Sequence, residues 1–246
     1  MTININIPTN WNDLTERQLK KLASIFHAKK NAIQDVLVFF TLLNIRWWQF
    51  FKAYKAGKVL KNVPISELKT HYSFIYEKQE RTKFIKSIRT KNKQLFAPNE
   101  RITNLNVDEF AHAEDLYLGW HKTKDIEYLQ YLTAVLYREK DEKGKRLLFD
   151  KTELEERAKA LSKINKPILL ATAITYQGCR EYLYTQFPVV FPKTTKKQKT
   201  PNSSGFGKLI LHLSGAKFGS HNETKTTNVY TFLSEFEEQL KKEPNA

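Results

Sequence analysis

Glu109-Phe110-Ala111-His112 sets a carboxylate and an imidazole three residues apart, the E-x-x-H spacing that puts two metal ligands on one helix face in di-iron bundles. That chemistry needs a second E-x-x-H and two more glutamates from other helices, and the chain holds no second copy. His112-Ala113-Glu114 carries the H-x-E of zinc deaminases, but their P-C-x-x-C is missing because Cys179 is the one cysteine. The six histidines form no H-x-x-x-H pair. Ser204-Gly205-Phe206-Gly207-Lys208-Leu209 resembles the end of a phosphate loop. Its first glycine is replaced by Asn202, and Leu209 stands where Ser or Thr would bind magnesium. Cys179 sits in an apolar stretch with no histidine beside it and reads as a buried thiol. Asp108, Glu109, Glu114 and Asp115 make an acidic first turn and face, which the helix dipole favours without any catalysis. The expectation is a non-enzymatic protein with no cofactor and no metal.

The elements that would position these residues centre on Asn106–Glu139. Val107, Phe110, Ala113, Tyr117 and Trp120 recur at steps of three and four, as do Ile126, Leu129, Leu132, Val135 and Leu136. Asn106 and Glu109 form an N-x-x-E start signal, and Asp125 can cap the second arm from a five-residue loop, so the stretch predicts a helical hairpin. Upstream, Ile3, Ile5 and Ile7 suggest a short extended arm, and Thr15 with Gln18 opens a helix. A helix over about Ala32–Asn44 is apolar nearly all round and should be central to the core. Trp47, Phe50, Phe51 and Tyr54 follow at i, i+3, i+4 and i+7, which predicts a core-facing stripe; the alternative is a stacking platform for single-stranded nucleic acid. Pro64 and Ser66 start a short helix that turns Leu68, Tyr72 and Ile75 inward. Downstream, helices are expected over about Lys151–Lys163 and over Ile168–Phe187, with Pro167 at the start of the latter and Gly178 where a neighbour can approach closely.

The 246 residues carry 41 basic and 26 acidic side chains, a net charge of +15, with 41% hydrophobic and 13% aromatic residues. This is the composition of a globular chain, and one cysteine excludes an internal disulfide. The longest apolar run, Val36–Ile45, is about half of the roughly 20 residues a bilayer span needs, and the first residues lack the pattern of a signal peptide. The expected location is the cytoplasm. The cation surplus can serve an anionic partner or solubility alone, and scattered lysine gives a diffuse field where arginine would give bidentate forks.

Within residues 78–101, Phe84, Ile85, Ile88, Leu95 and Phe96 flank the turn-like Thr90-Lys91-Asn92-Lys93, which predicts a small β-hairpin. Its basic side chains, Lys83, Lys86, Arg89, Lys91 and Lys93, would protrude from a helical body as contacts for an anionic partner. Lys193, Lys196, Lys197 and Lys199 lie in a stretch without apolar period, 188–205, which reads as a basic linker and a second anionic contact. Beyond it two helices are expected, Gly207–Ser214 and Val229–Lys242, the second with Thr227 as its cap. Val229, Phe232, Leu233, Phe236 and Leu240 share one face of that helix and form a candidate docking face for a partner. The resulting division is a mainly α body at 1–187 with the inserted hairpin, the linker at 188–205, and a C-terminal helical pair at 206–246.

Three stretches, EFAHAEDLYLGW…TKDIEYLQYLTAVLYRE, PILLATAITYQGCREYL and FGKLILHLSGAKFGSHNETKTTNVYTFLSEFEEQL, resemble in order and spacing the helical proteins encoded among tail and virion-assembly genes of tailed phages and prophages. The resemblance spans roughly residues 80–240 and brings over no functional residue. It implies a particle-assembly role through protein–protein contacts, such as a chaperone for the tape-measure protein or a tail or connector component, with other structural proteins as partners and a possible association with the virion. The alternative reading is a nucleic-acid-binding protein that uses the basic hairpin and the lysine-rich linker.

Overall fold

The computed structural model describes residues 7–192 and 220–242. The extended arm expected at Ile3–Ile7 falls mostly outside those residues. So do Lys193, Lys196, Lys197 and Lys199, the phosphate-loop-like segment and the expected Gly207–Ser214 helix.

The described chain is mainly helical with one two-stranded sheet. Helices α1 (Glu16–His27), α2 (Gln34–Leu42), α3 (Phe50–Asn62) and α4 (Ile65–Lys69) precede strands β1 (Ser87–Arg89) and β2 (Gln94–Phe96). Then come α5 (Val107–Thr123), α6 (Ile126–Leu136), α7 (Leu154–Leu161), α8 (Lys166–Gln186), α9 (His221–Thr226) and α10 (Val229–Lys242).

Local chemistry starts these helices where the side chains dictate. Thr15 and Gln18 close a capping box on α1, and Asn106 and Glu109 close another on α5. Asp125 accepts from the Glu127 N–H and starts α6. The loop between α5 and α6 is shorter than the five residues expected, because α5 runs on to Thr123 and Lys124 ends it in the left-handed region at φ 60°. Two residues, Lys124 and Asp125, link the helices there.

Helix α8 is the axis of the core. Every residue from Leu169 to Tyr176 is buried, and α1 and α6 pack on it while α5 packs on α6. Gly178 is where α8 meets the segment before the hairpin, and a Cβ there would fall onto the Arg81 backbone. Arg81 is itself buried, donating to the carbonyls of Trp11 at 2.8 Å and Leu14 at 2.9 Å. Helix α2 is less central than its composition suggests: Val38, Phe39 and Leu42 are buried, but Ile33 and Leu37 face solvent.

The sheet pairs Ser87 with Phe96, Ile88 with Leu95 and Arg89 with Gln94. Ile88 and Leu95 point into the core. The Phe96 N–H donates to the Arg138 carbonyl at 2.7 Å and the Arg138 N–H returns to Phe96, so the hairpin lies against the chain leaving α6. It does not protrude as the sequence suggested, because its alternation gives it an apolar face to bury.

Glu109 holds these parts together. Its carboxylate accepts from the Asn106 N–H at 2.9 Å and makes a close ion pair with the Arg138 guanidinium. A second guanidinium, Arg146, lies 3.5 Å from the same oxygen. All three side chains are almost fully buried. Burial, and then the adjacent Arg138 charge, pull the Arg146 guanidinium down to about 10, still charged at neutral pH.

Two substitutions test this frame. Gly178→Ala should lower stability by about 1–3 kcal/mol through overpacking against Arg81, although alanine is the better helix former by about 1 kcal/mol. Glu109→Gln should cost about 3–5 kcal/mol, the usual loss when one partner of a buried pair is removed. Urea midpoints measure both, and a Gly178→Ala protein more stable than the parent contradicts the close contact.

Candidate interaction surface

The segment after α2 sets up an unusual helix. Asn44 leaves α2 in the left-handed region at φ 49°, and the Gln49 side chain accepts from the Arg46 N–H at 3.0 Å to hold the turn before α3. Lys52 Nζ donates to the Leu43 carbonyl at 2.9 Å, tying the first turn of α3 back to the end of α2. Inside α3 only Ala56 is buried, with Val59 and Leu60 partly covered.

The core-facing stripe expected from Trp47, Phe50, Phe51 and Tyr54 is on the other side. Trp47 is 80% exposed, Trp48 51%, Phe50 70%, Phe51 87% and Tyr54 66%. Two stripes compete along this segment at helical spacing. Ala56, Val59, Leu60 and Val63 keep the apolar period for the rest of the helix, whereas the aromatic stripe continues into Gly57, Lys58 and Lys61. The smaller stripe wins the core, and the aromatics turn outward.

At roughly 200 Å² per aromatic side chain these five expose about 700 Å². The largest apolar patch on an ordinary monomer is roughly 300–600 Å². Charge is equally one-sided. No Asp or Glu occurs between Asp35 and Glu67, while Arg46, Lys52, Lys55, Lys58 and Lys61 all fall in that interval. Cations lie over the rings: the Arg46 guanidinium is 5.1 Å from the Trp48 ring centre and Lys58 Nζ is 5.7 Å from that of Tyr54. Trp47 and Trp48 meet edge to face at 5.6 Å.

The contacts expected from sequence are disposed differently. Lys83, Lys86, Arg89, Lys91 and Lys93 are exposed, but Lys93 pairs with Glu139 at 2.8 Å, and Glu153 and Glu156 also raise its pKa. The hairpin tip therefore has acidic neighbours from α7, a poor setting for an anion. Val229, Phe232 and Leu233 are buried against the chain's own body, with Phe236 partly covered beside them and Leu240 half-exposed. Two backbone bonds of 3.0 Å fix that docking, Val107 N–H to the Thr227 carbonyl and Val229 N–H to the Leu105 carbonyl. The proposed docking face is thus used within the fold, because its apolar residues complete the side of α5. Asn228, not Thr227, accepts from the first turn of α10. Helix α9 had its own signal, the capping box of Ser220 and Glu223.

The carboxylates of the tested metal motifs are committed elsewhere. Glu109 caps α5 and pairs with arginine, and His112 Nδ1 lies 2.8 Å from the Asp108 carbonyl. Glu114 accepts from Arg180 Nε at 2.6 Å, the Tyr184 hydroxyl at 3.0 Å and the Tyr176 hydroxyl at 3.2 Å. Burial opposes the Arg180 charge, but Glu114 more than offsets it and holds the guanidinium above its ordinary value. Cys179 is buried, which pushes its thiol up and keeps it protonated. Among the described residues no three metal-ligating side chains come together, and no helix is long and apolar enough to cross a membrane.

The fold and this surface define a mainly α protein with an outward aromatic–basic helix. The chain matches no family model, no curated protein and no solved structure.

Tryptophan emission reads the surface directly. Replacing Trp47 and Trp48 by Phe should remove most of the red-shifted, acrylamide-quenchable emission, since Trp11 is shielded in the core and Trp120 is partly covered by it. Emission that stays equally quenchable would place the exposure elsewhere.

Proposed function

We propose that this chain is a non-enzymatic protein of phage or prophage particle assembly that holds a structural partner through the outward aromatics of residues 46–61. The observation that carries the reading is the aromatic area exposed by Trp47 and Trp48 in the turn before α3 and by Phe50, Phe51 and Tyr54 on its first turns. It approaches the about 800 Å² that one partner contributes to a standard protein interface. Helix α3 gives its own core little beyond Ala56, Val59 and Leu60, so the rings are free for a partner. Trp, Tyr and Arg are the side chains that concentrate binding energy at interfaces, and all three occur here. The acid-free interval selects a partner that is apolar and acidic. The resemblance across residues 80–240 supplies the setting: tail or connector components, or a tape-measure protein in need of a chaperone, within the host cytoplasm or on the virion.

A second reading, nucleic acid, is favoured by one feature, the rings set among five cations with no carboxylate. Its lysines would be those of α3 more than those of the hairpin.

Co-purification of the full chain with the structural proteins encoded beside it separates the two. The parent should retain a protein partner, and the Trp47→Ser, Phe51→Ser, Tyr54→Ser triple variant should lose it at least tenfold with unchanged circular dichroism. Equal retention by both contradicts the reading. If the partner is nucleic acid instead, a labelled single-stranded oligonucleotide will bind. Removing Lys55, Lys58 and Lys61 will then shallow the salt dependence by roughly one log–log unit per lost phosphate contact.

A further inference from the structure

The outward side of α3 changes character along its length. Phe50, Phe51 and Tyr54 occupy its first turns, and Lys58 and Lys61 continue the same side to the end, with Lys55 beside them. These three lysines are exposed and make no ion pair among the described residues. Between the rings and the last cation stands Gly57, itself exposed, about one turn after Tyr54 and one turn before Lys61. A Cβ at Gly57 would meet nothing within 4 Å. A glycine inside a helix costs stability relative to alanine, and here the fold gains no close contact in return. Gly178 is the contrast, because the Arg81 backbone fills the space its missing Cβ leaves. Gly57 leaves a low place on an exposed face, open to close approach from outside.

The shape and charge of the face set what can lie on it. From Phe50 to Lys61 it extends about 16 Å at 1.5 Å per residue, roughly three turns of a second helix. A helix bonds its backbone groups internally, so α3 has no edge to pair with an extended peptide. A partner helix arrives with its own backbone bonds already made. Its apolar side chains would lie on the rings at one end, and its carboxylates would meet Lys55, Lys58 and Lys61 at the other. A second copy of this chain is a poor occupant, because it would set one acid-free face against another.

We propose that the partner held by this surface presents an amphipathic helix with an acidic end, and that this helix crosses α3 in close contact at Gly57. The proposal rests on the assembly reading and adds to it the partner's secondary structure, its charge and the residue that sets the approach.

The full chain, co-expressed with the structural proteins encoded beside it, is compared with Gly57→Ala, Gly57→Leu and the Lys55→Glu, Lys58→Glu, Lys61→Glu triple variant, and the Kd of each for the retained protein is measured at low and high salt. Gly57→Ala should raise the urea midpoint of the free chain and still weaken the partner at least threefold. Gly57→Leu, which has open space to occupy, should keep its circular dichroism and weaken the partner at least tenfold. The lysine variant should lose at least tenfold at low salt, and high salt should weaken the parent. Overlapping peptides of the retained protein should place the bound segment in an acidic stretch that becomes helical on binding. Equal affinity of Gly57→Leu and the parent, or a bound segment that stays extended, overturns the crossing at Gly57. The aromatic surface stands without it if the Trp47→Ser, Phe51→Ser, Tyr54→Ser variant still loses the partner. If that variant binds equally, or only an oligonucleotide is retained, the assembly reading fails and this proposal fails with it.

Discussion

The fold depends on one carboxylate. Glu109 completes the cap of α5, neutralises Arg138 where the chain leaves α6, and stands beside Arg146 at the far side of the loop that follows. Arg138 is also the residue whose backbone pairs with Phe96 of the hairpin, and Asn106, at the cap, pairs with Asn228 before α10. Four separate parts of the chain thus converge within a few residues of this buried charge. Taking such groups out of water costs several kcal/mol per ion, so the arrangement is stable only with all partners present. A second buried carboxylate, Glu114, ties α5 to α8 through Arg180 and two tyrosines in the same manner.

This use of charge changes the meaning of the net +15. Of nine arginines, Arg81, Arg138, Arg146, Arg157 and Arg180 have most of their side chain covered and bond to carbonyls or carboxylates inside the fold. Guanidinium suits that task because it is planar, multiply donating and weakly hydrated. The surface is left mostly to lysine, and lysine there is unevenly opposed: Glu139, Glu153 and Glu156 stand beside the hairpin tip, while α3 has no carboxylate in its own segment. Net charge alone could not separate these two settings, because the carboxylates that oppose the hairpin lie some fifty residues away in sequence.

Helix caps and long apolar periods were legible in the sequence because both are local. Thr15 with Gln18, Asn106 with Glu109 and Asp125 start helices where their spacing says, and Gly178 marks a close approach as expected. The interaction surface was not legible, for a specific reason. Residues 47–63 carry two helical stripes, and periodicity says which residues share a face but not which face meets the core. Ala56, Val59, Leu60 and Val63 are smaller than the aromatics, yet they hold the second half of the helix and its C-cap against the body. The C-terminal face had the opposite fate: Val229, Phe232 and Leu233 look like a docking face in isolation, and the partner they dock on is the chain itself.

The interaction surface exists only if α3 turns its aromatics outward, and paired stability measurements read that direction most directly. Urea unfolding of a Phe50→Ser, Phe51→Ser, Tyr54→Ser variant should give a midpoint within about 0.5 kcal/mol per site of the parent, as surface substitutions do. A Val59→Ser, Leu60→Ser variant should lose about 1–3 kcal/mol. The reverse order, with the aromatic variant strongly destabilised and the aliphatic one neutral, would mean that the rings are the core of this region and that the proposed surface does not exist.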